Sequence, residues 1–581
     1  MRNRLVTSLR ISRRTLSAVV MVLAVAATTL AAQQLSGPDH YALLGQARTA
    51  MDQRRYPEAA GLYRRLADNN PRDGELWMAY ASAARAAGRL ADALQADEKV
   101  IELGAGFRPN ASIKPMNLDL ADRPQLAYRM ARGYATLGRK DRALDWLTKA
   151  VAWRYTPRTS MQTDSAFRAY QDDDRFRELA GLPPKGIRSR DQRWRYDIDF
   201  LASECKRLHA SFTREAYSPQ FDAAATDLKA RVGQLTDNQI IVGLQRLVVL
   251  LRDGHSIVAP ADSGKLLPVD FYWFSDGLFV VNGIGDAKRW TGSRVLKFGS
   301  QNVEALLAQL PAYVSRDNPM GVRWIGPVML TRLDFLQAMG GTSDPSRATL
   351  TLRGPTGAVT DVALEGGPNR PRPKLVPPYG DTVRAPLYLK RVTTNYWFTP
   401  LPEVNAVYFQ FNQVINQPGG ELLAQFAPKL LEAVKDPSVK NLIIDARHNN
   451  GGNSYLYPPL LRIFAYFQES SPGRQLFYVV GRNTFSAAQN FSTNVERLTN
   501  AIFVGEPTGS SPRFTGEGAI WFELPYSRVR ASISNWYHQF TFWSDSRPWI
   551  SPAVPVELSS TDYFAGRDPA LEAVFDLIRH P

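Results

Sequence analysis

The chain has 581 residues, 44% of them hydrophobic and 22% charged, with a formal net charge of +15. That length exceeds a single hydrophobic core and implies two to four domains of ordinary globular composition. Five of the positive charges (Arg2, Arg4, Arg10, Arg13, Arg14) precede any acidic residue. The remainder holds no dense Lys/Arg run interleaved with aromatics, so nucleic-acid binding is not indicated.

Residues 1–32 combine those arginines with the apolar run SAVVMVLAVAATTLAA and end in small residues before Gln33 and Gln34. A basic start, a short apolar stretch and small residues near Ala31 or Ala32 describe a secretory signal peptide. The apolar run is short for a membrane span of about 20 residues. The expectation is therefore an exported, periplasmic or extracellular protein, membrane-bound only if the segment stays uncleaved. Ser12-Arg13-Arg14-Thr15-Leu16 also resembles a twin-arginine export signal. Cys205 is the single cysteine; it excludes an intrachain disulfide and, inside a helical pattern, reads as a core residue.

From Tyr41 the chain is Ala-rich, helical and repetitive. Three segments, beginning at Ala42, Glu75 and Gln125, each place Ala at a fixed late position (Ala59, Ala93, Ala143). With Pro71, Trp77, Gly88, Tyr134 and Gly138 at consensus positions, residues 41–182 resemble tetratricopeptide repeats, about the minimum number for a stable stack. The run DSAFRAYQDDDRFRELAGL reads as one closing amphipathic helix. Such repeats serve either as a groove for a protein partner or as a spacer.

Pro183-Pro184-Lys185-Gly186 makes a linker. Residues 187–260 read as a helical segment whose last helix, capped by Thr236-Asp237, runs into Arg252-Asp253-Gly254-His255-Ser256. A helix that releases a His onto an Asp-Gly loop can present an imidazole at a cleft. Residues 265–366 change to short β runs with helical pieces; WTGSRVLKFGSQNVEALLAQL resembles part of a PDZ-like module, without its carboxylate-binding loop. A Pro-rich connector covers 367–382.

Residues 383–581 alternate strands and helices and read as an α/β domain. The stretch Leu476–Gly505 is a buried strand, a turn at Gly481–Phe485, a helix opening at Ser486 and a second strand at Ala501–Val504. A Ser at that junction sits on free backbone N–H groups and the positive end of the helix dipole, as nucleophilic serines do; an ordinary N-cap is the plainer alternative. Upstream, NLIIDAR is a strand and HNNGGN a loop whose glycines let N–H groups point outward at the C-terminal sheet edge.

LIIDARHNNGG, NTFSAAQNF and VGEPTG, in that order and spacing, resemble the core of the C-terminal-processing and tricorn-type serine peptidase family. RWRYDIDFLASECKRLH, RDGHS and the closing run SPAVPVELSSTDYFAGRDPALEAV resemble its tricorn-like branch, so that the likeness spans roughly 190–581. The resemblance implies a multidomain chain. In it, an all-α tetratricopeptide-like repeat domain precedes the helical segment, a β-rich PDZ-like segment and an α/β (ββα-type) peptidase core. It also implies a serine peptidase acting on peptides or unfolded proteins, which the N-terminal segment 1–32 leads us to expect outside the cytoplasm. By that resemblance Ser486 falls on the nucleophile, and the N–H of Ala487 with that of Gly451 or Gly452 on the oxyanion hole. The processing branch takes its base from a Lys after GEPT; here Gly509-Ser510-Ser511-Pro512 stands there, which excludes a Ser–Lys dyad. The tricorn-like branch uses a His, which falls on His255, and an acid, which falls near Asp545; Ser256 stands beside the His as candidate hydroxyl relay.

Six histidines allow the base to be weighed by position. His40 and His580 lie at chain ends and His209 inside a helix, as a packing or surface residue. His255 is favoured, with His448 in the glycine loop and His538 in NWYHQFTFW as rivals. Asp253 is a second candidate to orient the imidazole, though in an Asp-Gly turn it tends to cap its own backbone. Glu506 and Glu517 read as surface or structural, and Gln489 stands where the processing branch has Glu. No zinc spacing and no phosphate-cradling glycine motif is present, so no cofactor is expected. The alternative function is a catalytically silent binding or scaffold protein on the same fold.

Overall fold

The computed structural model describes residues 35–103, 118–155, 158–213, 219–259, 264–371, 375–516 and 520–580. The signal-peptide expectation at 1–32 and Glu517 lie outside the described residues. Among those described, no helix is long and apolar enough to cross a membrane. The chain divides into two compact units, Met1–Leu182 and Pro183–Pro581.

The first unit is a run of antiparallel helix pairs: α1 (Gly37–Asp52), α2 (Tyr56–Asn69), α3 (Gly74–Ala86), α4 (Leu90–Leu103), α5 (Leu118–Thr136) and α6 (Lys140–Ala152). Ala59, Ala93 and Ala143 are fully buried where helices cross, because only a small side chain lets two backbones approach. The turns α3–α4 and α5–α6 use Gly88 at φ 77° and Gly138 at φ 69°, and Arg54 takes the same conformation at φ 59° between α1 and α2. The closing segment is two short helices, Ser165–Tyr170 and Asp174–Leu179, rather than one. Asp164 caps the first through Ala166 N–H and Asp173 the second through Phe176 N–H. Two caps so close together end one helix and start another, and Phe167, Tyr170 and Phe176 all reach the repeat core.

The second unit opens with α7 (Arg190–Leu208), α8 (Pro219–Arg231) and α9 (Asp237–Val249). Ser189 and Thr236 form full capping boxes with Gln192 and Gln239. Cys205 is buried, and burial pushes its thiol up, away from the reactive thiolate. After the His loop comes β1 (Ile257–Val258). An antiparallel sheet follows in sequential order: β2 (Val269–Phe274), β3 (Gly277–Gly283), β4 (Arg294–Phe298), β5 (Arg347–Arg353) and β6 (Val359–Glu365). Between β4 and β5 lie α10 (Val303–Gln309), α11 (Pro319–Met329) and α12 (Leu333–Ala338), which cover the sheet's apolar face.

The α/β core has a six-stranded sheet built from β7 (Tyr396–Leu401), β8 (Ala406–Phe411), β9 (Asn441–Asp445), β10 (Gln475–Val480), β11 (Ile502–Gly505) and, after the outlying pieces described next, β16 (Val554–Pro555). These six lie in sequential order across the sheet, all parallel except β7 against β8. Helices α13 (Leu423–Lys435), α14 (Pro458–Glu469) and α15 (Ala487–Leu498) cover one face and α16 (Pro569–Arg579) the other. Alternation divides each strand between them: Phe409, Ile444 and Tyr478 face the three helices, while Tyr408, Ile443 and Val479 face α16. The pieces between β11 and β16 are the pair β12 (Arg513–Gly516) and β15 (Trp536–Gln539), and the hairpin β13 (Ile520–Glu523) and β14 (Arg530–Ile533). The hairpin packs Phe522, Ala531 and Ile533 into the core of α7–α9. β1 adds to it antiparallel, Ile257 opposite Ser532, which carries the His loop to the α/β core.

Arg447, just past β9, bonds Asp445 at 2.9 Å and Asp568 at 2.7 Å, with both carboxylates buried. Arg447→Leu leaves two buried acids without their cation, so we expect a loss of about 3–5 kcal/mol. Urea unfolding checks this, and a loss under about 1 kcal/mol would show the triad to be dispensable.

Candidate active site

Ser486 stands between β10 and α15 at φ 57° and ψ −125°, a backbone conformation that costs a non-Gly residue about 1–3 kcal/mol. The turn before it is fastened to the loop after β9: Thr484 Oγ1 donates to Ala446 O at 3.0 Å and Phe485 N–H to Asn449 O at 3.1 Å. The Ser486 side chain makes no cap bond to its helix. Its Oγ lies 2.9 Å from His255 Nε2 instead, across 231 positions of sequence.

The imidazole is held by aromatic rings. It stacks on Phe485 at 4.4 Å and on Phe514 at 5.4 Å, and Phe514 stacks in turn on His538 at 4.9 Å. The residue is half-buried, with its ring closed between these neighbours. Burial pushes it down to about 4, Asp253 opposing, His538 assisting and the Thr515 backbone opposing. The ring is therefore neutral at pH 7 and able to accept a proton. Among the described residues no hydrogen bond of good geometry reaches Nδ1. His538 is held off from Ser486 by Phe514, and His448 stacks on Tyr388 at 5.8 Å, away from the serine.

Asp253 fastens the loop rather than the ring. Its Oδ1 accepts the N–H groups of His255 at 2.7 Å and Ser256 at 2.6 Å. Its Oδ2 lies 2.7 Å from His209 Nε2, and Ser211 Oγ lies 2.6 Å from His209 Nδ1. Burial pushes the Asp253 carboxyl up, but the bonds from His209 and Ser256 win and hold it below the usual range. His209 is thus no surface residue: it is buried and braces the loop that presents His255.

Asp317 enters unannounced by any motif. It accepts Gly254 N–H at 2.7 Å and the Ser510 hydroxyl. Ser510 lies in the loop after β11, so this polar link joins that loop to the His loop. The residue as a whole is half-buried while its carboxyl is shut from water. Burial pushes it up to about 7, with Asp253 adding and Ser510 opposing.

Two expectations are not met by the geometry. Asp545 bonds Thr541 Oγ1 at 2.8 Å and Arg547 at 2.9 Å, and those bonds hold its carboxyl far below the usual range. No hydrogen bond joins it to His255; an arginine two residues along the chain has captured the carboxylate. Ser256 Oγ accepts Ser534 N–H at 3.0 Å and fixes β1 against β14 rather than relaying to the imidazole. Glu506, expected at the surface or in a structural role, is a buried partner of Arg482.

The glycine loop lies against the serine. A Cβ on Gly451, whose φ is 105°, would come within 2.7 Å of Ser486 Cβ and 2.9 Å of Ala487 N. Gly451 N–H donates to Asn449 Oδ1 at 3.0 Å. The N–H groups of Gly452 and Ala487 carry no hydrogen bond among the described residues. Among the described residues no group of three His, Cys, Asp or Glu side chains is placed to hold a metal.

Residues 44–106 match the family model of the tetratricopeptide repeat. No curated protein matches the chain in sequence. Among solved structures, a mutant of CPAF is similar at TM-score 0.50 and 14% identity, over 67% of this chain and 97% of that one. Mature CPAF complexed with lactacystin is similar at TM-score 0.49 and 14% identity, over 67% and 99%. The photosystem II D1 C-terminal processing protease follows at TM-score 0.32 and 11% identity, over 65% and 98%. The likeness to the CPAF mutant is one of fold, and the tetratricopeptide match at 44–106 precedes the second compact unit.

Proposed function

We propose that the protein is a serine peptidase that hydrolyses peptide bonds in peptides or unfolded proteins by way of an acyl-enzyme. The observation that carries this reading is the 2.9 Å approach of His255 Nε2 to the Oγ of a serine held in a strained strand-to-helix turn. His255 takes the Ser486 proton as Oγ attacks the carbonyl carbon, and Ala487 and Gly452 N–H groups receive the oxyanion. The imidazolium then protonates the leaving amine, and water hydrolyses the ester by the same steps in reverse order. Ring stacking and the braced loop orient the imidazole in place of a carboxylate on Nδ1. The arginine-led apolar segment at 1–32 supports export, to the periplasm or outside the cell. The helical repeats support recruitment of a protein partner.

A fluorophosphonate probe, which esterifies an activated serine, tests the reading on the mature full-length chain. We expect stoichiometric labelling mapped to Ser486 by peptide mass spectrometry, together with cleavage of unfolded casein. Absence of both would leave the silent scaffold as the function.

A further inference from the structure

A cavity of about 350 Å³ is lined by His255 and by Phe485, the residue before Ser486, and falls within the size range of ligand pockets. Gly254, His255, Phe485 and Gly509 form its edge at the site, and its wall is apolar: Phe271, Trp324, Ile325, Val328 and Met329. Trp324 tilts against Phe485 at 5.6 Å, so the ring that stacks on the imidazole also forms part of the pocket. The cavity is built largely from residues of the β-rich segment 265–366, but none of 290–310, the run that resembles part of a PDZ-like module, lines it.

Most of the polar side chains around this wall are already spent, the exposed Asn369 at its rim excepted. Gln245 donates to Tyr313 O and Ser315 Oγ and accepts Val258 N–H. Ser315 Oγ donates to Ser256 O at 2.6 Å. Arg332 pairs with Asp334, and Arg370 with Asp270 and two carbonyls. Arg316 donates to Pro311 O and Val314 O. With most of its donors engaged elsewhere, the wall offers an incoming group chiefly dispersion and release of water. Ile325, Val328 and Met329 keep part of their apolar surface uncovered in the cavity.

We infer that this cavity is a specificity subsite that takes a large apolar side chain, aromatic or branched aliphatic, of the peptide substrate next to the scissile bond. The inference rests on the peptidase reading above. The cavity includes none of residues 449–453, so it lies on the imidazole side of the nucleophile and away from the oxyanion loop. A peptide whose carbonyl sits over Ser486 must therefore lead one flanking side chain past His255 and Phe485 into it.

The test compares the wild type with Val328→Phe, which fills the cavity from α11. Cleavage sites in a denatured protein mixture are read by mass spectrometry, and rates are taken as ratios within each enzyme. Large apolar residues flanking the cut should exceed Ala by on the order of ten-fold or more in the wild type, and that ratio should fall about ten-fold in Val328→Phe. Cuts without apolar enrichment, or an enrichment that a folded Val328→Phe keeps, would overturn the subsite. Peptide binding to the Ser486→Ala protein separates this outcome from failure of the peptidase reading itself. A peptide with a central Phe should bind more tightly than its Ala twin, and the added Val328→Phe change should abolish the difference. Equal binding of the two overturns the subsite even if the protein cleaves nothing.

Discussion

Replacing His255 with alanine is expected to lower kcat by about 10⁶-fold, the scale on which a serine peptidase loses rate when its base is removed. The side chain is the only imidazole within bonding distance of Ser486 Oγ among the described residues, and without it the hydroxyl proton has no acceptor. The pH profile adds a second readout. Because burial pushes the ring down to about 4, the acid limb of wild-type kcat/KM should fall well below the ordinary histidine value of about 6.5. An inflection near 7 has a separate source available in Asp317, and Asp317→Asn removes it if that acid is responsible. A limb near 6.5 that survives Asp317→Asn would sink the assignment of a desolvated His255. Stability carries the same sign. A depressed imidazole contributes stability above its unfolded value of about 6.5 and loses it as pH falls towards the folded value. The difference in Tm between wild type and His255→Ala should therefore shift in the variant's favour from pH 7 to pH 4.

Gly451→Ala is expected to cost about 10²–10³-fold in kcat, the effect of losing an oxyanion donor. The new methyl would lie 2.7 Å from Ser486 Cβ and 2.9 Å from both Ala487 N and Phe485 O, so the loop must move off the serine. Gly473→Ala supplies the control. It has φ 80° with nothing within 4 Å of the added Cβ, and carries a comparable backbone penalty of about 1–2 kcal/mol without crowding. It should lower stability and leave kcat unchanged. Measuring kcat and Tm for both variants separates loop displacement from backbone strain; a Gly451→Ala enzyme within a few-fold of wild type would remove this loop from the site.

Half of the site was legible locally. The apolar run ending at Val480, the polar turn and the Ala-rich start of α15 place Ser486 at a strand-to-helix junction from residues within ten positions of it. The glycines at 451 and 452 likewise announce a loop at a strand end. The repeat unit was legible because each helix pair is bounded by its own turn and crossing alanine. The failures were of another kind. Asp545 was expected to serve the imidazole, and Arg547 holds it. His209 read as a packing or surface residue; it is buried, and its brace on the loop through Asp253 carried no signal. Asp317 carried no signal beyond its place beside Asn318, which caps α11.

The sequence by itself determined most of the elements, their capping and the strand-to-helix turn that bears Ser486, because propensity, periodicity and turn chemistry act over a few residues. Only the tertiary structure decided what His255 meets. Pairing of Ile257 with Ser532 and insertion of Phe514 between two histidines join segments more than 200 positions apart. Those contacts follow from which apolar surfaces bury one another, and burial is a property of the assembled chain rather than of any window along it.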